Sequence, residues 1–393
     1  MLNTLSISNY RSLVKLVIPL GRLNLITGAN ASGKSNLYKA LRLLAETAQG
    51  GVVNALAKEG GLEACFWAGP EVISDRMRRS EIPIQGGPRS KAKRLRLGFT
   101  GDDFGYSISL GLPKPSNSAF SLDPEIKREC IWACRSGSST YRPASSLIDR
   151  DTSLIKIREK RNWQVMSQNI ATFDSIFSQI SDPDKTPEVI TLRDNIRHWR
   201  FYDHFRSDMD APARHAQLGT RTPVLHHDGR DLAAALQTIN EIGSHEALAD
   251  AISDAFPGAH LKIAIKEDAR FAIEFYQYGL LRPLSGQELS DGTLRYLLWV
   301  AALLTPRPPP LMVLNEPETS LHPDLLPALA RLIISASERT QVWVVSHASR
   351  LIAALEEHED CHSIRLKKEL GETSVVGQGM LDEPHWVWPD ASK

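Results

Sequence analysis

Eight residues, Gly28-Ala29-Asn30-Ala31-Ser32-Gly33-Lys34-Ser35, limit what this chain can fold into more than any other stretch. They fit G-x-x-x-x-G-K-[ST] without a mismatch, and the flanks fit as well. "LNLIT" before them reads as a buried strand, and "NLYKALRLLAE" after them sets Leu37, Ala40, Leu41 and Leu44 in a helical pattern. The chemistry follows from residue type. Gly28 and Gly33 let the backbone turn tightly, so that its N–H groups face one concavity. The helix that follows adds the partial positive charge of its N-terminus. Lys34 can reach the β- and γ-phosphates of a nucleotide, and the Ser35 hydroxyl can bind Mg²⁺.

Three features follow one another near the other end of the chain. "LSDGTLRYLLWVAALL" (289–304) begins with a turn at Ser290-Asp291-Gly292 and continues as an apolar helix that stops at "TPRPPP". Ser290 there is either a plain N-cap or, with the Gly292 backbone, part of an anion site at a helix start. "PLMVLNE" reads as a buried parallel strand, with Glu316 at the carboxyl end, where ligands bind in open α/β sheets. "TQVWVVSHASRLIAAL" (340–355) is another buried strand and ends in Ser346-His347 before a helix.

Composition narrows the class. The 393 residues carry no formal net charge, with 42% hydrophobic and 23% charged, which is ordinary globular usage. Zero net charge argues against coating nucleic acid by bulk electrostatics and leaves local basic patches open. The four cysteines, Cys65, Cys130, Cys134 and Cys361, form no CxxC pair or disulfide framework. "MLNTLSISNYRSLVKL" has no signal-peptide core. No window reaches the ~18 uncharged apolar residues of a membrane span. A soluble cytoplasmic protein without a membrane partner is expected.

The middle of the chain is harder to read. "RLRLGFTGDDFGYSISLGL" (94–112) and "HLKIAIKEDARFAIEFYQYG" (260–279) predict β-hairpins of an antiparallel layer. Residues 76–96 hold eight Arg/Lys and one Glu, either a phosphate-backbone contact or a solvated loop. "NIRHWRFYDHFRSDMDAPARHAQ" (195–217) mixes aromatics with Arg and reads as a packed joint rather than a base-stacking surface.

Taken together, "NYRS", "GANASGKS", "LSDGT", "NEPETSLHP" and "VVSH" resemble the ABC-type ATPase heads of the SMC/RecF/OLD group. The closer resemblance is to bacterial AAA-type ATPases related to RecF and OLD that lack a long coiled coil. The implied fold is α/β, a P-loop NTPase head with a mostly parallel sheet flanked by helices and an antiparallel β-layer. The implied division is 1–115 and 221–375 as the two halves of the head, 116–220 as an inserted, mostly helical lid or arm, and 376–393 as a tail.

In such heads two copies sandwich two ATP molecules, each with Mg²⁺. Carried over, residues Gly28, Ala29, Asn30, Ala31, Ser32, Gly33, Lys34, Ser35 and Asn36 hold the nucleotide, with Ser35 and Asn315 toward the metal. Ser290 and Gly292 meet the γ-phosphate across the dimer. Glu316 is the general base, His347 supports the transition-state charge, and Lys34 contributes to catalysis. "ETSLHP" (318–323) meets the partner subunit, and Arg11 lies near the nucleotide.

Two departures stand out. Residues 60–70 lack the glutamine expected after the first helix. Asn315 stands where an Asp is usual, keeping an oxygen acceptor but losing a charge, so weaker Mg²⁺ binding and slow hydrolysis are expected. The resemblance implies a switch in DNA repair or phage defence that works through nucleic acid or an effector protein such as a nuclease. The alternative is an ATP-gated regulatory module with negligible hydrolysis.

Overall fold

The computed structural model describes residues 1–71, 73–86, 92–115, 117–134, 140–379 and 382–389. Packing divides the chain into two compact units. The first comprises Met1–Leu20, Gly28–Arg197 and Ile364–Lys393, and the second Gly21–Thr27 and His198–Ser363.

An antiparallel sheet organises the first unit. Its strands are β1 (Leu2–Tyr10), β2 (Leu13–Pro19), β4 (Leu95–Gly101), β5 (Phe104–Gly111), β6 (Glu125–Ala133), β7 (Ser146–Asp151), β8 (Leu154–Glu159) and β9 (Asn162–Ser167). They lie in the order β2-β1-β4-β5-β6-β7-β8-β9. The expected hairpin over 94–112 is β4–β5, closed around Gly101-Asp102-Asp103 with Thr100 opposite Gly105. Helices α1 (Lys34–Thr47), α2 (Val52–Lys58), α3 (Leu62–Cys65), α4 (Asp75–Arg78), α5 (Ile176–Gln179) and α6 (Pro187–Arg197) belong to the same unit. Helix α1 buries Leu37, Tyr38, Ala40, Leu41 and Leu44, the stripe its sequence presents.

The expectation of a mostly helical segment over 116–220 is corrected. β6 pairs with β5 and carries β7, β8 and β9 with it, so these strands extend the sheet. A buried ion pair supports them. Arg150 Nη1 lies 3.1 Å from Glu129 Oε2, and both side chains are fully buried. Glu129 also accepts hydrogen bonds from Tyr106 Oη (2.7 Å), Ser175 Oγ (2.5 Å) and Ile176 N (3.0 Å). Removing one member would leave an uncompensated buried charge.

The second unit carries parallel strands in the order β10 (Arg200–Tyr202), β15 (Leu311–Asn315), β16 (Gln341–Val345), β3 (Leu23–Gly28). Residues of the three longer strands are almost all buried, as strands covered on both faces must be. Helices α7 (Leu232–Ile242), α8 (His245–Ala255), α9 (Asp291–Leu303), α10 (Leu326–Ser337) and α11 (Ser349–Glu356) pack on one apolar core with them. The hairpin expected over 260–279 forms as β12 (His260–Ile265) and β13 (Arg270–Tyr276). It pairs with β11 (Gln217–Leu218) and β14 (Leu284–Ser285) in a small sheet of its own, not in the layer that holds β4 and β5.

Three of the four Trp, Tyr and Phe residues of 195–217 are core residues, and Phe201 is half-buried. Trp199, Tyr202 and Phe205 are buried, and Phe205 stacks edge-on with Trp299 at 4.8 Å. They are not a base-stacking surface. β17 (Cys361–Glu369) and β18 (Glu372–Val375) form a closing hairpin, with Leu366 opposite Val375. Among the described residues no helix is long and apolar enough to cross a membrane.

Candidate functional site

The Gly28–Ser35 loop leaves β3 and enters α1 with a left-handed backbone at three positions: Gly28 (φ 146°), Ala31 (φ 64°) and Gly33 (φ 109°). Gly33 is the residue at the helix start, and no other residue type fits there. A Cβ would stand 2.2 Å from Thr373 Oγ1. Lys34 Nζ donates to the Gly28 carbonyl at 2.6 Å and to the Ala29 carbonyl at 3.1 Å, so the ammonium lies over the loop. Asn30 and Ser35 are exposed, Asn36 is half-buried, and Ser32 and Lys34 are buried. Ser32 Oγ is shielded from solvent and makes no hydrogen bond within the chain. A loop that presents an orphaned hydroxyl and a buried lysine at a helix N-terminus fits the phosphates of ATP.

The loop is clamped from behind by residues that motif reading does not find. Thr373 Oγ1 donates to the Ser32 carbonyl at 2.9 Å and lies 2.7 Å from Ser12 Oγ. Ser12 Oγ accepts from Asn36 Nδ2 at 2.8 Å, and Thr373 N donates to the Ser12 carbonyl at 2.8 Å. Ser12 belongs to "NYRS", so that stretch bears on the loop through its serine. Arg11 has φ 49°, is half-buried, and is paired with Glu59, whose carboxylate Lys39 also reaches at 3.1 Å.

The second unit brings the other candidates together at the carboxyl ends of β15 and β16. Glu316 is exposed and left-handed (φ 50°), a conformation that costs a non-glycine residue about 1–2 kcal/mol. Its N–H donates to the Val345 carbonyl at 2.8 Å. His347 Nδ1 lies 3.7 Å from Glu316 Oε1 and 3.3 Å from Glu318 Oε1. Glu318 is buried, and its Oε1 accepts from Ser346 Oγ (2.8 Å), His347 N (2.9 Å) and Ala348 N (3.2 Å). Glu318 thus fixes the turn that carries His347, a positioning role that its place in "ETSLHP" does not reveal. Asn315 is half-buried and aligned with Val345.

Ser290 caps α9: its Oγ accepts from Thr293 N at 3.1 Å. The turn before it is braced by buried Arg214. That guanidinium donates to the carbonyls of Leu289 (2.6 Å), Gly286 (3.1 Å) and Ser207 (2.7 Å) and to Asp291 Oδ1 (2.6 Å). Arg295, one turn into α9, donates to the Thr319 carbonyl at 3.0 Å and to Ser207 Oγ at 3.0 Å. Burial lowers the Arg295 pKa from its ordinary value, and Asp291 opposes that shift. Gly292 lies close under the Ser320 carbonyl, 3.2 Å from where a Cβ would stand. The Ser290–Gly292 turn and the loop after Glu316 are therefore one connected surface.

The Ser35 hydroxyl and the Asn315 amide oxygen are each, taken separately, of the hard donor type that Mg²⁺ takes. His226, His227 and Asp228 also bring ligand atoms within 4.8 Å of one another. Arg230 Nη2 stands 3.0 Å from His226 Nε2 and would repel a cation there.

The basic stretch divides. Residues 87–91 lie outside the described residues. Arg94 and Arg96 line a cavity of about 560 Å³ on the first unit's sheet together with Arg128, Lys156, Arg158 and Trp163. Strand register builds that row. Arg96 is opposite Ser109, Ser109 opposite Arg128, and Arg158 opposite Trp163. Asp149 and Asp151 reach Arg128 at 2.5 and 3.3 Å and offset part of the charge. The Arg158 guanidinium lies 4.8 Å over the Trp163 ring.

Comparison with known proteins adds the following. The family model described as "AAA domain, putative AbiEii toxin, Type IV TA system" matches residues 23–353. A crystal structure of an SMC head bound to the C-terminal winged-helix domain of ScpA is 13% identical, with TM-score 0.50, covering 97% of this chain and 98% of that one. The SMC head domain of Thermotoga maritima is 14% identical, with TM-score 0.45, covering 95% and 98%. The Smc head of Pyrococcus yayanosii, with a coiled coil and joint, is 12% identical, with TM-score 0.49, covering 97% and 98%. No curated protein matches the chain.

Proposed function

The chain belongs to the AAA-domain family whose model spans residues 23–353, and we propose that it hydrolyses ATP and uses ATP-dependent dimerisation as a switch. One observation carries the reading. Glu316 is held in a strained conformation at a strand end, beside His347 on a turn that buried Glu318 fixes. Strain and a buried carboxylate spent on placing two exposed polar side chains favour chemistry over mere binding. In the proposed reaction Glu316 takes a proton from water as the water oxygen attacks the γ-phosphorus. The bond from that phosphorus to the β–γ bridging oxygen breaks, and ADP leaves. Lys34 and His347 stabilise the charge that develops on the phosphoryl oxygens. Mg²⁺, when bound, would neutralise phosphate charge, and Ser35 and Asn315 are the residues proposed to hold it.

Dimerisation is the switch in this reading. Ser290 and Gly292 sit at an exposed helix start joined by Arg295 to the loop after Glu316, which suits contact with a nucleotide held by a second copy. With Mg²⁺ and ATP, Glu316→Gln should run at twice the monomer mass in light scattering, while Ser290→Arg should stay monomeric. A Glu316→Gln protein that remains monomeric at saturating ATP would count against the sandwich. One observation favours the alternative of an ATP-gated module with little turnover: Asn315 supplies no carboxylate at the metal side.

We further propose nucleic acid as the partner, in the setting of DNA repair or phage defence, on the strength of the basic cavity and its exposed Trp163. An effector protein such as a nuclease is the other candidate. A strand contacting three or four of the cavity's cations should show a salt slope of about −2 to −4 in log K against log salt. Lys156→Glu with Arg158→Glu should weaken binding at least tenfold at about 50 mM salt. Wild-type protein that binds neither duplex nor single strands at that salt would remove nucleic acid as a partner.

A further inference from the structure

We propose that the nucleic acid taken by the first unit's basic cavity is single-stranded, with phosphates on the cations of β8 and an unpaired base stacked on Trp163. The inference rests on the nucleic-acid reading above and deepens it.

Strand register sets a cationic strip beside an apolar one. On β8, Ile155 and Ile157 are buried, and the alternation of a strand turns Lys156 and Arg158 to the other face. β9 pairs antiparallel with β8, with Lys156 opposite Val165 and Arg158 opposite Trp163. Residues opposite each other in a ladder share a face. Two cations on one strand therefore run along Trp163 and Val165 on the next. β9 ends the sheet, and its Trp163 and Val165 are 39% and 51% exposed. Open apolar side chains beside a cationic strip match a ligand with one charged side and one flat aromatic side. An unpaired polynucleotide strand is such a ligand.

The tryptophan is held in place. Arg158 Nη1 donates to the Ala144 carbonyl at 3.2 Å, and Nη2 donates to the Pro143 carbonyl at 3.0 Å. These bonds fix the guanidinium 4.8 Å over the Trp163 ring. A base that stacks there meets a surface already ordered, which lowers the entropy cost of binding.

A duplex matches this site poorly. The cavity of about 560 Å³ falls in the small-ligand range of roughly 300–1,000 Å³. That is room for a base turned out of a strand, but not for a duplex, whose major groove alone is about 12 Å wide. The base faces of a duplex are covered by their neighbours, so Trp163 would have nothing to stack on. A duplex would also bring phosphates to Asp149 and Asp151, which line the same cavity. An unpaired strand can keep its phosphates on Lys156 and Arg158 and turn base amino groups toward those carboxylates.

The test is fluorescence anisotropy of the full chain with labelled DNA and RNA of about 16 nucleotides, single-stranded and as duplex, at about 50 mM salt. For at least one of the two sugars the single strand should bind about tenfold tighter than its duplex, or more. Trp163→Ala should weaken single-strand binding about 5- to 100-fold, the worth of one stacked base, and should change duplex binding less than about threefold. An abasic strand keeps every phosphate and offers no base. Wild-type protein should lose a similar factor on it, and that measurement needs no variant to fold. Duplexes bound as tightly as single strands for both sugars overturn the proposal and leave the nucleic-acid reading standing. Unchanged single-strand binding by Trp163→Ala, or an abasic strand bound as well as an intact one, does the same. Wild-type protein that binds no form at that salt refutes instead the nucleic-acid reading on which this rests.

Discussion

Glu316→Gln should lower steady-state ATP turnover by about 10²–10⁴-fold, the range in which a positioned general base acts. That range corresponds to about 3–5 kcal/mol in the barrier. The substitution is nearly isosteric, and the Glu316 backbone is fixed independently of its side chain by the N–H bond to the Val345 carbonyl. The left-handed φ of 50° is also unaffected by the change. The loss should therefore fall on the chemical step, with ATP affinity kept within about threefold of wild type. Phosphate release at saturating Mg²⁺-ATP reads the first quantity and equilibrium binding the second. Glu318→Gln gives the contrast. It removes the charge that three donors share at Oε1 and loosens the turn carrying His347, so it should damage folding stability as well as rate. If Glu316→Gln turns over within threefold of wild type, Glu316 is not the base and the hydrolytic reading fails.

What was legible in the sequence was local. The Gly28–Ser35 loop, the acid at the end of β15 and the histidine after β16 all follow from short apolar runs that stop at particular residues, and the structure places each where that pattern implies. The hairpins β4–β5 and β12–β13 were legible for the same reason, but the sheet each joins was not. A turn fixes which strand comes next and does not fix the neighbour on the other side. The strands β6 to β9 were hidden by their own charges. Glu129 and Arg150 sit at fully buried positions and satisfy each other, so apolar–polar alternation breaks where the sheet is best covered. β9 is largely exposed and lacks an inward apolar row. Non-local partners were equally hidden. Ser12 and Thr373 are 361 residues apart in sequence, and only the fold shows that they hold the phosphate loop between them.

Gly33→Ala should reduce ATP affinity at least about 30-fold while leaving the second unit folded. Two costs act at one atom. At φ 109° an added Cβ forces an L-residue into a conformation it rarely adopts, worth about 1–2 kcal/mol. The same Cβ would stand 2.2 Å from Thr373 Oγ1 and 2.8 Å from its Cγ2, and relief of such overpacking costs about 1–3 kcal/mol. Thr373 is buried and cannot simply swing away, because its hydroxyl donates to the Ser32 carbonyl and contacts Ser12 Oγ, which holds Asn36. The cheapest escape is to give up the native loop, and with it the array of N–H groups that faces the phosphates. A combined cost of about 2–5 kcal/mol corresponds to roughly 30- to several-thousand-fold in affinity, which sets the expected floor of the loss. Gly33→Ala/Thr373→Ala separates the two contributions. It removes the colliding atoms but keeps the backbone strain, so it should recover about tenfold in affinity and no more. Isothermal titration with ATP and with ADP would measure all three proteins. An affinity for Gly33→Ala within threefold of wild type would show that the phosphates are not held by this loop.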